Sequence, residues 1–180
     1  MTANREILML CGSLRSASSN AALLRTAREL TPSCFSALIY QGMGGLPLFN
    51  PDDDRDPLPP AVIELRTRID SAAAILICTP EYAGALPGVF KNLLDWTVGG
   101  VEIGGKPTAW INVSGSATRA ADAHASLRKV LGYTGAAIVE DACVHIPVRS
   151  STIDDQGLVA DDEVRTAVAK SLAALTAAVC

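Results

Sequence analysis

The chain has 180 residues, 49% of them hydrophobic and 19% charged, with a formal net charge of −4. That length suits one domain with a full core, and the sparse charge suits a sheet buried on both faces. The mildly acidic balance argues against nucleic acid or an anionic membrane as partner, and no apolar run is long enough to cross a bilayer.

Residues 7–11, Ile-Leu-Met-Leu-Cys, read as a strand that stops at Gly12, and residues 1–6 carry no signal-peptide pattern. A hydroxyl-rich loop follows, Ser13-Leu14-Arg15-Ser16-Ala17-Ser18-Ser19. Residues 20–30 then read as a helix, with Leu23, Leu24, Ala27 and Leu30 at helical spacing and Pro32 ending it. A strand, a polar loop and a helix N-terminus together bind anions, because the first helical amides lack partners and the helix dipole is positive there. Ser13, Ser18, Ser19 and Asn20 can add side-chain hydrogen bonds, and Arg15 a charge-assisted one. The expected ligand is a phosphate. The same Ser and Asn residues also fit ordinary helix capping. The loop lacks the lysine of a P-loop and the spaced glycines of a dinucleotide turn, so a magnesium-bound nucleoside triphosphate is not expected.

Residues 34–40 read as a weaker edge strand. Residues 41–60 are rich in Gly, Pro and Asp but contain Leu46-Pro47-Leu48-Phe49, which predicts that this long connection packs against the body of the protein. Residues 61–71 read as a second helix, with Val62, Leu65 and Ile69 on one face, and residues 73–78 as a central strand, apolar throughout. A second distinctive loop, residues 79–87, leads into a helix opening at Pro87-Gly88. Its Val89, Phe90, Leu93 and Leu94 are expected to face inward and Lys91, Asn92 and Asp95 outward, with Trp96 in the core or at a subunit contact. Residues 108–113 read as the fourth strand, 114–119 as a third polar loop, 122–132 as the fourth helix, and 136–147 hold the fifth strand. A last helix opens on Asp161-Asp162-Glu163, with Val164, Val168, Leu172, Leu175 and Val179 as its inner stripe.

This alternation predicts an α/β fold with a doubly wound five-stranded parallel sheet, strand order 2-1-3-4-5, in one domain over residues 1–180. Ligands of such sheets sit at the carboxyl ends of the strands, where the order reverses between strands one and three. The loops after strands one, three and four should therefore converge on one site. The five cysteines, Cys11, Cys34, Cys78, Cys143 and Cys180, are odd in number and lack C-x-x-C spacing, which points to a reduced, cytoplasmic protein. Cys11 and Cys78 read as buried structural thiols. His124 and His145 stand alone in their segments, so no metal site is expected; His124 reads as solvated and His145 as structural.

Two stretches carry a family likeness: Gly12-Ser13-Leu14-Arg15 with Ser18 and Asn20, and Thr79-Pro80-Glu81-Tyr82 followed by Leu86-Pro87-Gly88-Val89 and Lys91-Asn92-Leu93-Leu94-Asp95-Trp96. They resemble the NADPH-dependent FMN reductase family, which includes flavin, quinone, chromate and azo-dye reductases. Leu46-Pro47-Leu48-Phe49-Asn50 is similar to the family's segment before the second helix, and the likeness runs over residues 6–139. The resemblance implies a flavodoxin-like fold, non-covalent FMN, NADPH or NADH as co-substrate, and a small-molecule electron acceptor. It implies that Ser13, Arg15, Ser18 and Asn20, with Ser19 beside them, hold the FMN phosphate. It places Pro80, Glu81, Tyr82 and Ala83 along the flavin ring, mostly through backbone groups, and Ser114, Gly115 and Ser116 where the third loop reaches the flavin. Residues 91–96 fall where members form homodimers or homotetramers. The flavin would take hydride from the nicotinamide and pass electrons on, so no catalytic residue is expected from the protein. For Glu81 itself, capping the third helix or pairing with a cation stays open.

Two departures stand out. Family members often carry asparagine where this chain has Ala83, and glycines where it has Ala117-Thr118. Both fall on the ring side, and the small stretch Ala83-Gly84-Ala85 predicts a more open pocket there. No basic cluster for the 2′-phosphate of NADPH is visible in the sequence. The alternative function is a flavodoxin-type electron carrier or an FMN-binding module without nicotinamide activity. Flavodoxins are usually far more acidic than this chain.

Overall fold

The computed structural model describes residues 5–116 and 118–179. Ala117, half of the second departure, and Cys180 lie outside the described residues. The elements in order are β1 (Arg5–Cys11), α1 (Ser19–Glu29), β2 (Phe35–Ile39), α2 (Pro60–Ser71), β3 (Ala74–Cys78), α3 (Gly88–Asp95), β4 (Pro107–Asn112), α4 (Ala121–Tyr133), β5 (Ala137–Ile138), β6 (Val144–His145) and α5 (Asp162–Ala177). All strand pairs are parallel, in the order β2-β1-β3-β4-β5, with β6 also on β4. The doubly wound order expected from the sequence is therefore the observed one.

The pleat divides the core into two layers, because successive side chains of a strand point to opposite faces. Ile7 and Met9 of β1, Leu76 and Cys78 of β3, and Ile111 of β4 pack with α1 and α5. Leu8, Leu10, Ile75, Ile77 and Trp110 pack with α2, α3 and α4. Every residue of β3 is buried, as its unbroken apolar run predicts.

The fifth strand departs from expectation. A single strand within residues 136–147 is replaced by two two-residue strands, β5 and β6, separated by the 3-10 turn Glu140–Ala142. The acidic Glu140 and Asp141 interrupt the apolar run, and a parallel strand buried on both faces has no place for them. The turn puts Glu140 at the surface, where it pairs with Arg128 of α4 through Nη2 and Oε2 at 2.8 Å. Ser171 Oγ of α5 donates to the Ala142 carbonyl at 2.8 Å and pins the turn from below.

The long connection over residues 41–60 is strapped across α3. Asn92 accepts from Phe49 N at 2.8 Å and donates to the Pro47 carbonyl at 2.9 Å, and Trp96 Nε1 donates to the same carbonyl at 2.8 Å. Phe49 meets Trp96 edge to face, with ring centroids 5.0 Å apart. Farther on, Arg66 of α2 pairs with Asp54 at 2.7 Å and donates to the Trp96 carbonyl at 2.9 Å. Asn92, expected to face outward, thus holds the strap in place, because its amide satisfies backbone groups that the apolar Leu46–Phe49 contact would otherwise leave unpaired.

Candidate functional site

The site forms where the sheet order reverses. β1 and β3 run side by side to the pair Cys11 and Cys78, and Gly12 N donates to the Cys78 carbonyl at 2.9 Å. A Cβ at Gly12 would collide with the Thr79 side chain, so only glycine lets the two loops leave the sheet this close together.

Ser18 caps α1, its Oγ accepting from Ala21 N at 3.4 Å, and no acidic residue follows in the first turn. The amide end of α1 therefore keeps its positive potential. Arg15 lies on the same loop, with its amide on Ser13 Oγ at 3.3 Å and Nη2 on the Ala17 carbonyl at 2.7 Å. A guanidinium has five N–H donors, so most of the fork is left for an anion. Asn20 is 7% exposed and takes a bond from Cys78 Sγ at 3.3 Å on its Oδ1, which leaves its N–H groups to a ligand.

Two adjoining clefts open here. One, of about 420 Å³, is lined by Ser13, Arg15, Ser18, Ser19, Asn20, Pro80, Tyr82, Ser114 and Gly115, together with Val113, Arg119 and Val148. The other, of about 380 Å³, adds Thr79, Glu81, Asn112 and Ala120 and shares Asn20, Pro80, Val113, Ser114 and Arg119 with the first. Both lie in the size range of small-molecule sites. Ten of the expected site residues thus come together, and Ala83 and Ser116 line neither cleft. Ser116 is exposed, and its carbonyl accepts from the Ser114 hydroxyl at 2.9 Å.

Sequence reasoning missed Asn112 and Arg119. Asn112 is buried and organises the third loop, accepting from Ser114 N at 2.9 Å and donating to the Arg119 carbonyl at 3.1 Å. Arg119 adds a second cation to the cleft; its one signal was that it is the only charged residue in that loop.

Glu81 resolves the choice left open by the sequence in a third way. Its Oε2 accepts from Ala123 N at 3.0 Å and caps α4, whose own N-cap position is Ala120 with no side-chain cap and a left-handed φ of 63°. The carboxylate faces the amide end of α4 and ties the second loop to the third. Tyr82 and Ala85 close a tight turn through mutual backbone bonds of 3.0 and 3.1 Å, with Ala83 and Gly84 at φ 53° and 72°. This explains the chemistry of the Ala83 position, since asparagine tolerates the left-handed region better than alanine does.

His124 corrects another expectation. It is 8% exposed, not solvated, because its ring packs beside Trp110 with centroids 6.3 Å apart. Nδ1 lies 2.7 Å from the Ala120 carbonyl and so carries the proton, while Nε2 has no partner among the described residues. Burial pushes its pKa down and keeps the ring neutral. His145 is exposed, with Nε2 2.8 Å from the Ser114 carbonyl. Cys78 is fully buried, its single S–H shared between Asn20 Oδ1 and, at 3.1 Å, the Ile111 carbonyl; burial raises its pKa well above normal, and that of Cys11 also rises. Burial disfavours the thiolate at both positions, and of the two only Cys78 is fully buried as expected, Cys11 being partly exposed.

The model of the NADPH-dependent FMN reductase family matches residues 5–149. The chain is 36% identical over 163 residues to a 2-hydroxy-1,4-benzoquinone reductase of Burkholderia sp., covering 89% of this chain and 88% of that one. It is 34% identical over 177 residues to an NAD(P)H-dependent FMN reductase of Pseudomonas aeruginosa, covering 97% and 95%. Among solved structures, FerB, a flavoenzyme NAD(P)H:(acceptor) oxidoreductase of Paracoccus denitrificans, superposes with a TM-score of 0.85 at 28% identity over 97% of both chains.

Proposed function

The chain belongs to the NADPH-dependent FMN reductase family and is an FMN-dependent NAD(P)H oxidoreductase, and we propose that the FMN phosphate is held at the amide end of α1 by Ser13, Arg15, Ser18, Ser19 and Asn20. The observation that carries this assignment is the acid-free first turn of α1, opening onto a cleft lined by Arg15 and Arg119. Such a site suits a dianion, and the one carboxylate nearby, Glu81, is already occupied by α4.

Bound FMN supplies the hydride and electron chemistry. The protein binds and orients. Pro80, Glu81 and Tyr82 are assigned to the ring side, and the turn at Ala83-Gly84, beyond the cleft, keeps the loop short. Ser114 and Gly115 close the site from the third loop, with Ser116 bracing that loop, and Asn112 fixes its shape. No side chain is assigned a catalytic proton. The acceptor is a small planar molecule, a quinone or a free flavin: relatives named for quinone and FMN reduction support this, as do the small residues around Gly84.

The assembly is a homodimer or homotetramer formed around α3, where Leu48, Val98 and Val101 are exposed apolar side chains on adjoining segments. A reduced, cytoplasmic setting suits Cys11, Cys34, Cys78 and Cys143, which are unpaired. No helix among the described residues is long and apolar enough to cross a membrane.

The test is a visible absorbance spectrum of the purified protein with FMN, followed by anaerobic NADPH. A flavin spectrum that bleaches is expected; bound flavin that resists both NADPH and NADH would leave a carrier. Arg15→Ala should weaken FMN binding about tenfold, equivalent to about 1.4 kcal/mol. An unchanged Kd would overturn the phosphate assignment.

A further inference from the structure

On the far side of residues 13–16 a separate groove of about 310 Å³ runs between α1 and the carboxyl end of β2. Ser13 and Arg15 line both this groove and the FMN cleft, so the two depressions meet at one loop. On α1 the lining residues are Ala21, Arg25 and Arg28, spaced i, i+4 and i+7 and hence on one helix face. Ala21 leaves room at the bottom of that face. Leu14, Ile39 and Met43 give the groove an apolar wall, and Gln41 a polar one.

Three arginines thus line a groove with no acid among its described lining residues. Arg25 is anchored, its Nε donating to the Gly157 carbonyl at 3.0 Å. Arg28 is exposed, and its side chain makes no hydrogen bond or ion pair within the described residues. A basic residue in the last turn of a helix complements the dipole. That accounts for Arg28 alone, but not for its place with Arg15 and Arg25 along an acid-free groove.

We propose that this groove receives an adenosine-linked phosphate, the 2′-phosphate of NADPH, and that Arg28 together with Arg25 makes the enzyme prefer NADPH to NADH. The inference rests on the FMN assignment next door, which puts the electron-donating co-substrate in this neighbourhood. A phosphate monoester carries about −1.5 to −2 charges near neutral pH, and the planar guanidinium fork matches its oxygens. NADH presents an uncharged hydroxyl at the same place and gains nothing from Arg28. The adenine ring has Leu14, Ile39 and Met43 to lie against. FAD also carries adenosine-linked phosphate, in its diphosphate, and the test separates the two sources.

The experiment is steady-state kinetics of the FMN-loaded protein with a quinone acceptor, using NADPH and NADH, for wild type, Arg28→Gln and Arg28→Lys. Wild type should favour NADPH. In Arg28→Gln the KM for NADPH should rise about tenfold, the scale of one charge-assisted hydrogen bond. The kcat and the KM for NADH should stay within about twofold, which is near the noise of such comparisons in free-energy terms. Arg28→Lys should recover much of the loss, and 2′,5′-ADP should lose inhibitory strength in step with NADPH while 5′-AMP does not.

Equal use of both nucleotides by wild type would overturn the inference, as would parallel changes in both KM values. So would a change in FAD affinity relative to FMN with the nucleotide preference intact. FMN affinity, measured separately by flavin fluorescence quenching, should be the same in wild type and Arg28→Gln. Wild type that binds no FMN defeats the neighbouring assignment and this one with it. Normal FMN binding with unaltered nucleotide preference defeats this one alone.

Discussion

The amino ends of α1 and α4 lie at the same edge of the sheet and are finished in opposite ways. α1 has its own local cap, Ser18, and no acid in its first turn, so its amides face the cleft with their charge uncompensated. α4 starts from Ala120 in a left-handed conformation, carries Asp122 in its first turn, and borrows Glu81 from the preceding loop to satisfy Ala123 N. One helix end is left open to an anion from outside; the other is closed by the protein's own carboxylate. The contrast shows that a helix N-terminus becomes an anion site through what the protein withholds from it, since every helix offers the same amides.

The sharpest way to break the contrast is to close α1 as α4 is closed. Ser18→Asp keeps an excellent N-cap but places a carboxylate at the proposed phosphate site. FMN affinity measured by fluorescence quenching should fall by about a hundredfold or more, roughly 2.7 kcal/mol, with the thermal midpoint nearly unchanged. Retained affinity would show that the phosphate lies elsewhere.

Opening α4 is the converse, and it should act on stability. Glu81→Ala removes the side-chain acceptor that satisfies the Ala123 amide at that helix start. The expected cost is about 1 kcal/mol, the usual worth of a cap. For a chain of this size that lowers the midpoint by about 2–4 °C in a thermal melt. Glu81→Gln keeps an acceptor and should lose less.

The smallest effect concerns His124, one turn into α4. Its pKa is lowered in the folded protein, chiefly by burial, so the unfolded chain binds the proton more readily. Its contribution to stability is therefore complete above the unfolded value of about 6.5 and is lost as pH falls below it toward the lower folded value. Melts across that range should show stability declining toward acid, with a shallower decline in His124→Gln. Identical slopes would mean that the ring is not held neutral.

Much of this site was visible in one dimension because its determinants are local. Ser13, Arg15, Ser18 and Asn20 follow each other closely in the chain, and a strand that ends at glycine before a hydroxyl-rich helix start fits an anion site as well as ordinary helix capping. Pro80 and Tyr82 were found through the neighbouring loop motif. Arg119 and Asn112 were not, since their part depends on how the third loop folds back on β4. The role of Glu81 was out of reach for the same reason: its partner amide is 42 positions away in the chain. The groove bearing Arg25 and Arg28 was also invisible, because those residues read as the outer face of an amphipathic helix until β2 and its following turn are set opposite them.

The sequence by itself determined the alternation of strands and helices, the two-layer burial, and the hydroxyl-rich loop with one arginine that precedes α1. Each follows from periodicity or from spacing within a few residues, and such short-range patterns are already physical constraints before folding. Only the tertiary structure decided which helix end Glu81 closes, that Asn92 straps the 41–60 segment, that the fifth strand splits at Glu140, and that three arginines share one groove. Those outcomes depend on which surfaces the right-handed crossovers bring face to face. That is a property of the whole sheet, and no stretch of residues carries it alone.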